Sequence, residues 1–204
     1  MLAATALECI RGDRTLFSGV SFELAAGAGL LVQGANGAGK TSLLRILVGL
    51  SPPAVGEVAW EGRPIRLLGE AYRREVLWCG HANALKDDLS ALENVRAAAA
   101  LAGRPIGEEQ ARGALERAGV GAQADLPARS LSQGQKRRTA LARLLFARAK
   151  LWVLDEPVAA LDAGGVEWLA AALDRHLESG GLAVVTSHQP LATGARFEML
   201  KLGA

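Results

Sequence analysis

Cysteine is scarce in this sequence: among 204 residues only Cys9 and Cys79 occur. They form no paired metal spacing, so free thiols in a reducing compartment are the expectation. Cys79-Gly80-His81 does not match the C-x-x-C-H attachment pattern. An excess of one charge is also missing. Lys and Arg number 23 against 21 Asp and Glu, a formal net charge of +2 with no long basic tract, and no nucleic-acid partner is expected. No apolar run reaches the ~20 residues that a membrane-spanning helix needs. The longest alanine-rich stretch, 97–102, is far shorter. The opening Met1-Leu2-Ala3-Ala4-Thr5-Ala6-Leu7-Glu8 has no basic segment and is interrupted by Glu8, so no secretory signal is expected. Internal repeats, linkers and low-complexity segments are absent from the sequence. The chain is expected to be soluble, or held at a membrane by partners.

What is present is a globular composition. Hydrophobic residues make up 50% and charged residues 22%, enough to bury a core in one domain or in one domain with an inserted subdomain. Ser21–Leu24 and Gly29–Gln33 read as strands around the turn 25–27, with Leu30-Leu31-Val32 a short apolar run of the buried kind. A glycine-rich loop and an apolar helix over 42–49 follow, stopped by Pro52-Pro53. Residues 57–60 and 63–66 read as a strand pair turning at Glu61-Gly62. Residues 89–101 and 108–118 carry helical periodicity, split by 103–107. Leu151-Trp152-Val153-Leu154 and 182–186 are further buried strands, with a helix over 166–177 between them. Buried strands alternating with helices imply a parallel α/β sheet. One domain over 1–204 is expected, its core formed by 1–86 and 149–204 around a helical subdomain at about 87–148.

The first chemical motif is Gly34-Ala35-Asn36-Gly37-Ala38-Gly39-Lys40-Thr41, which fits G-x-x-x-x-G-K-[ST] in full and is followed by Ser42. An apolar strand precedes it and a helix follows. Glycines let backbone amides turn inward around phosphate oxygens, and the helix aims its positive end at them. Lys40 reaches the outer phosphates, and the Thr41 hydroxyl is a candidate Mg²⁺ ligand. The second motif is Asp155-Glu156 at the end of the strand 151–154. In an open parallel sheet that end faces the ligand crevice. Asp155 suits a Mg²⁺ partner, and Glu156 suits the group that polarises an attacking water. Together these describe a P-loop NTPase.

Leu131-Ser132-Gln133-Gly134-Gln135 narrows the class. It resembles the L-S-G-G-Q signature of ABC ATPases, with Gln133 in place of one glycine, ahead of a helix over 136–148. The resemblance covers nearly the whole chain. It implies an ABC-type ATPase domain with a RecA-like core and an inserted helical subdomain, and ATP and Mg²⁺ as cofactors. It also implies a homodimer in which Ser132, Gly134 and Gln135 of one copy meet the γ-phosphate held by the other. Residues 157–162 resemble the D-loop that passes between subunits. Thr186-Ser187-His188 places His188 as the switch histidine, catalytic with Glu156 and Lys40. For the Q-loop position after Val76-Leu77-Trp78-Cys79-Gly80 the sequence offers His81 or, in a competing alignment, Ala82. For the group that stacks on adenine it offers Arg11, through its guanidinium or as a plain exposed arginine. His176 is read as a surface residue, and Lys136-Arg137-Arg138 as a solvated helix face.

Four strings are similar to one branch of that family, the haem-exporter ATPases of cytochrome c maturation: 14–22, Leu77-Trp78-Cys79-Gly80-His81, 89–95, and Ser187-His188-Gln189-Pro190-Leu191. The resemblance implies ATP-driven work on a periplasmic haem chaperone, with integral membrane subunits as partners. It implies a peripheral place on the cytoplasmic face of the inner membrane and no direct haem binding by this chain. The alternatives are the ATPase of another small exporter, a soluble ABC ATPase acting on DNA or ribosomes, and a small-molecule P-loop kinase. The second usually carries paired ATPase domains or a long coiled-coil insertion, neither seen here. The signature and His188 argue against the third.

Overall fold

The computed structural model describes residues 1–188, 191, 193–195 and 197–203. In chain order the elements are β1 (Leu2–Arg11), β2 (Arg14–Leu24), β3 (Gly29–Gln33), α1 (Lys40–Leu47), β4 (Val55–Trp60), β5 (Arg63–Pro64), α2 (Ile65–Leu68), α3 (Glu70–Glu75) and β6 (Val76–Cys79). Then come α4 (Ala91–Leu101), α5 (Glu108–Arg117), α6 (Gln133–Leu141), β7 (Leu151–Asp155), α7 (Ala163–Glu178), β8 (Leu182–Thr186) and β9 (Phe197–Lys201).

Among the described residues the strands form two sheets. An antiparallel sheet runs β2-β1-β4-β5, and a parallel sheet runs β6-β7-β8-β3-β9. The parallel sheet is covered on both faces, which explains the unbroken apolar runs of its middle strands. Successive side chains of a strand point to opposite faces. Accordingly Leu151, Val153, Leu182 and Val184 join α1 and the antiparallel sheet in one core. Trp152, Leu154, Ala183 and Val185 join α7 and the segment after α6 in a second. A third apolar cluster belongs to residues between Ala91 and Ala142, where α4 and α5 meet through Val95, Ala111, Ala114 and Leu115. Ser90 caps α4 by accepting from the Glu93 amide at 3.1 Å, while the Glu93 carboxylate accepts from the Ser90 amide at 2.7 Å.

Several expectations are corrected. The first strand does not begin at Ser21. β1 and most of β2 precede it, and register shifts between Thr5 and Glu8 blur their alternation. The expected strand 63–66 stops at Pro64 and winds into α2. The helix after the signature starts at Gln133 and ends at Leu141, followed by a tighter turn over Ala142–Leu145, so it does not reach 148. His176 is not a surface residue. Its ring is half-buried and stacks on Trp152, centroids 3.9 Å apart and planes 6° apart, with Nε2 3.1 Å from the Leu182 carbonyl.

That stack carries a pH prediction. Burial lowers the His176 pKa from its ordinary value, opposed by hydrogen bonding to the Leu182 and Lys150 backbone. The unfolded chain therefore takes up a proton that the folded chain resists. Stability is full above the unfolded value of about 6.5 and falls as pH drops through the lower folded value. Thermal melts at neutral and mildly acidic pH should show a smaller acid loss for His176→Phe than for wild type. An equal acid loss in both rules out His176 as the sensitive group.

Candidate nucleotide site at the carboxyl edge of the sheet

The parallel strands β3, β6, β7 and β8 end at Gln33, Cys79, Asp155 and Thr186, and each hands the chain to a residue group of the expected site. An open cleft of about 730 Å³ lies there. It is lined by Ala35, Asn36, Gly37, Gly39, Lys40, Thr41 and Ser42 from the loop and α1, by His81, Asp155, Glu156, Ala159 and His188, and by Arg14 and Leu16 of β2.

The loop takes its shape from glycine. Gly39 has φ of 96°, a left-handed backbone, at the start of α1. A Cβ there would lie 2.9 Å from the Phe17 ring and 3.1 Å from the Leu16 side chain. Lys40 is folded into the loop and only 9% exposed. Its Nζ donates to the carbonyls of Gly34 at 2.8 Å and Ala35 at 3.3 Å and lies 3.4 Å from His188 Nε2. The cation is thus held on the inner side of the loop by weak neutral acceptors, which a phosphate outcompetes. Gly34 and Ala38 are not among the lining residues. Gly34 contributes its carbonyl, and Ala38 packs with the core near Gly203.

The acidic strand end is tied to the loop. Thr41 Oγ1 donates to Asp155 Oδ2 at 2.8 Å, and Thr186 Oγ1 donates to Asp155 Oδ1 at 2.8 Å. The Glu156 amide in turn donates to Thr186 Oγ1 at 2.8 Å. Glu156 has φ of 48°, left-handed for a residue with a side chain and costing about 1–2 kcal/mol. Its Oε2 accepts from the His188 amide at 3.3 Å. Oε1 is buried, lies 3.4 Å from His188 Nε2, and has no hydrogen-bond partner among the described residues. A carboxylate with an unused buried oxygen facing a cleft is free to accept from a water or a ligand.

Ser132, Gly134 and Gln135 stand apart: none lines the cleft. Ser132 is exposed and caps α6, its Oγ accepting from the Gln135 amide at 3.2 Å while the Gln135 side chain accepts from the Ser132 amide at 2.8 Å. A Cβ on Gly134 would lie 2.8 Å from the Ala160 carbonyl, so only glycine lets the 157–162 loop pack this closely. Ser132 thus lies on the exposed N-terminal side of α6, outside the cleft that holds Lys40.

Of the two readings of Arg11, the exposed arginine agrees with the structure: Arg11 is not among the cleft's lining residues, whereas Arg14 and Leu16, two apart and on one face of β2, are. One expectation fails here. The run 136–138 is not a solvated face. Arg137 is 4% exposed, Arg138 is largely buried, donating to the Ala118 carbonyl at 2.8 Å and pairing with Asp162, and Lys136 pairs with the exposed Asp87 at 3.4 Å. For the Q-loop position, His81 lines the cleft and Ala82 does not. Gln189 and Pro190 of the string 187–191 lie outside the described residues.

A phosphate loop, an acidic strand end and an outward-facing signature helix on one α/β domain define an ABC-type nucleotide-binding subunit. The sequence model of the ABC transporter family matches residues 17–159, and the chain belongs to that family. It is the ATP-binding, ATP-hydrolysing subunit of an ABC transporter. The chain is 51% identical over 189 residues to the cytochrome c biogenesis ATP-binding export protein CcmA of Dechloromonas aromatica (strain RCB), covering 93% of each. It is 53% identical over 190 residues to the CcmA of Methylococcus capsulatus (strain ATCC 33009 / NCIMB 11132 / Bath), covering 93% of this chain and 92% of that protein. Among solved structures, the ATP-binding cassette MJ0796 in a dimeric post-hydrolysis state with ADP and Pi matches with a TM-score of 0.86 at 24% identity, over 100% of this chain and 97% of that one. That match speaks for the fold.

Proposed function

We propose that this chain powers a cytochrome c biogenesis exporter, working as a homodimer docked on integral membrane subunits at the cytoplasmic face of the inner membrane. The observation that carries the reading is the split site: Lys40, Thr41, Asp155, Glu156 and His188 converge on one cleft, while the exposed Ser132 and the half-buried Gly134, at the N-terminus of α6, lie outside it. A second copy docked head to tail would bring its Ser132 and Gly134 to the γ-phosphate. Names and coverage of the relatives support the biogenesis assignment. Among the described residues no helix is long and apolar enough to cross a membrane, which fits docking through partners. The division into a core of 1–86 and 149–204 and a helical subdomain at 87–148 fits the separate third apolar cluster.

In this reading the loop amides of 35–41 and Lys40 hold the phosphates. The Thr41 hydroxyl and the Asp155 carboxylate, 2.8 Å apart, are the hard oxygen donors that suit Mg²⁺. The ion would supply charge neutralisation on the phosphate oxygens. Glu156 orients the attacking water through its free oxygen, and His188, between Glu156 and Lys40, stabilises charge that develops on the γ-phosphate. His81 contacts the nucleotide side of the cleft. Most of the rate then comes from positioning and electrostatics. Haem would be handled by the membrane partners, not by this chain.

The test is complementation in a strain lacking this chain, with haem-stained c-type cytochromes as the readout. Deletion should remove them and the wild-type chain should restore them. Ser132→Arg should fail to restore them while still binding ATP through its own loop. Unchanged cytochromes in the deletion strain overturn the biogenesis assignment. Full restoration by Ser132→Arg overturns the shared site.

A further inference from the structure

Arg137 uses every donor it has. Its Nε donates to the Pro157 carbonyl at 3.2 Å. One Nη donates to the Gly80 carbonyl at 3.1 Å and to Asn83 Oδ1 at 3.2 Å. The other donates to the carbonyls of Asp155 at 2.8 Å and Glu156 at 2.9 Å. A guanidinium has five N–H groups, and all are satisfied. Burying the cation is costly, and burial lowers its pKa against the opposing pull of Cys79, Asp155 and Glu156; it stays charged regardless. Such a site is tolerated where the planar fork fixes several groups at once.

What it fixes is specific. Glu156 holds an unfavourable left-handed backbone, and its flanking peptides are pinned from two sides: the amide by Thr186 and the carbonyl by Arg137. The same guanidinium grips Gly80, the residue before His81. Arg137 itself sits on α6, whose N-terminus is Ser132, so one short rigid helix carries both Ser132 and this clamp.

We propose that Arg137 is a positioning residue that couples the signature helix to Glu156 and His81, so that the water-polarising carboxylate is aligned in step with docking of Ser132 and Gly134 on nucleotide. The inference rests on the role given to Glu156 above. Arg137 is not among the residues that line the cleft, so its loss should separate catalysis from binding. Removing the fork leaves the Glu156 amide on Thr186 and its carbonyl only on the Ala159 amide of its own loop, at 3.1 Å, and a misplacement of about 1 Å is enough for a loss on the order of 10²-fold.

The experiment compares Arg137→Gln and Arg137→Lys with wild type in the assembled transporter, measuring kcat and KM for ATP and the Kd of a non-hydrolysable ATP analogue. Each is repeated in a Glu156→Gln background. Both variants should lose at least tenfold in kcat with analogue Kd within about twofold, the lysine losing less because it keeps the charge but not the fork. In the Glu156→Gln background neither should lower the residual rate further, because the group they position is already gone. A fold defect would instead lower analogue stoichiometry and act equally in both backgrounds. Normal kcat, a parallel loss of binding, or a full additional loss in the Glu156→Gln background overturns the proposal. If Arg137→Gln fails to assemble, Arg137→Lys decides by the same criteria. Wild-type turnover by Glu156→Gln alone overturns the role of Glu156 itself, a distinct result.

Discussion

Lys40→Ala is expected to abolish ATP turnover and to weaken nucleotide binding. Lys40 is the sole cation among the loop residues 34–42, and its Nζ is already inside the loop, on the Gly34 and Ala35 carbonyls and 3.4 Å from His188. It has only to exchange neutral acceptors for phosphate oxygens, a stronger charge-assisted contact. Alanine removes that contact in ground and transition states alike, and leaves two carbonyls turned toward the phosphates. Loss of one preorganised donor typically costs about 10²–10³ in kcat, and loss of a full charge more. Binding should weaken as well, since part of the lost contact exists before reaction. The stability cost should be small, because no oppositely charged partner of Lys40 is stranded: the groups within reach are carbonyls and His188. Phosphate release by the purified chain or complex, alongside analogue binding and a thermal melt, checks all three. Wild-type turnover rules out the phosphate loop as the site of hydrolysis.

How much of this could be read from the sequence depended on where the deciding contacts lie along the chain. β3, β7 and β8 are legible because both faces are covered, so Leu30-Leu31-Val32, Leu151–Leu154 and Leu182–Val185 are unbroken apolar runs. The phosphate loop and Asp155-Glu156 are legible because their chemistry is local. β1 and β2 are not, because bulges interrupt their alternation, and β9 is not, because Phe197–Lys201 has no fully buried position and no regular alternation. Arg14 and Leu16 follow from β2's face, which is invisible until the strand itself is placed. Arg137 and His176 depart from the sequence expectation for a common reason. Each looks like one of a charged or polar group on a helix. The partners that bury them, at Gly80, Asn83 and Asp155–Pro157 for the arginine and at Trp152 and Leu182 for the histidine, come from other segments.

Glu156→Gln should hold ATP without consuming it. The amide is nearly the shape of the carboxylate, so the His188 amide contact to one oxygen survives, and the backbone contacts to Thr186 and Arg137 do not involve the side chain. What is lost is the negative charge and the ability of the buried Oε1 to take a proton or orient a water, an effect of about 10²–10⁴ in rate for a general base. Binding should not suffer. A carboxylate close to the γ-phosphate repels it, so neutralising Glu156 if anything favours the bound state. If Ser132 and Gly134 of a second copy close on that γ-phosphate, a nucleotide that is never cleaved keeps them closed. The variant should then accumulate as an ATP-holding dimer, while ADP leaves it monomeric or loosely associated. Light scattering with ATP and with ADP reads the mass, and labelled nucleotide retained after rapid dilution reads occlusion. Normal hydrolysis would remove Glu156 from the mechanism. A dead variant whose bound triphosphate exchanges as fast as it does from the Ser132→Arg chain would leave Glu156 in place but break the link between cleavage and opening. The γ-phosphate would then not be shared between copies, and the exposed cap of α6 would need another partner.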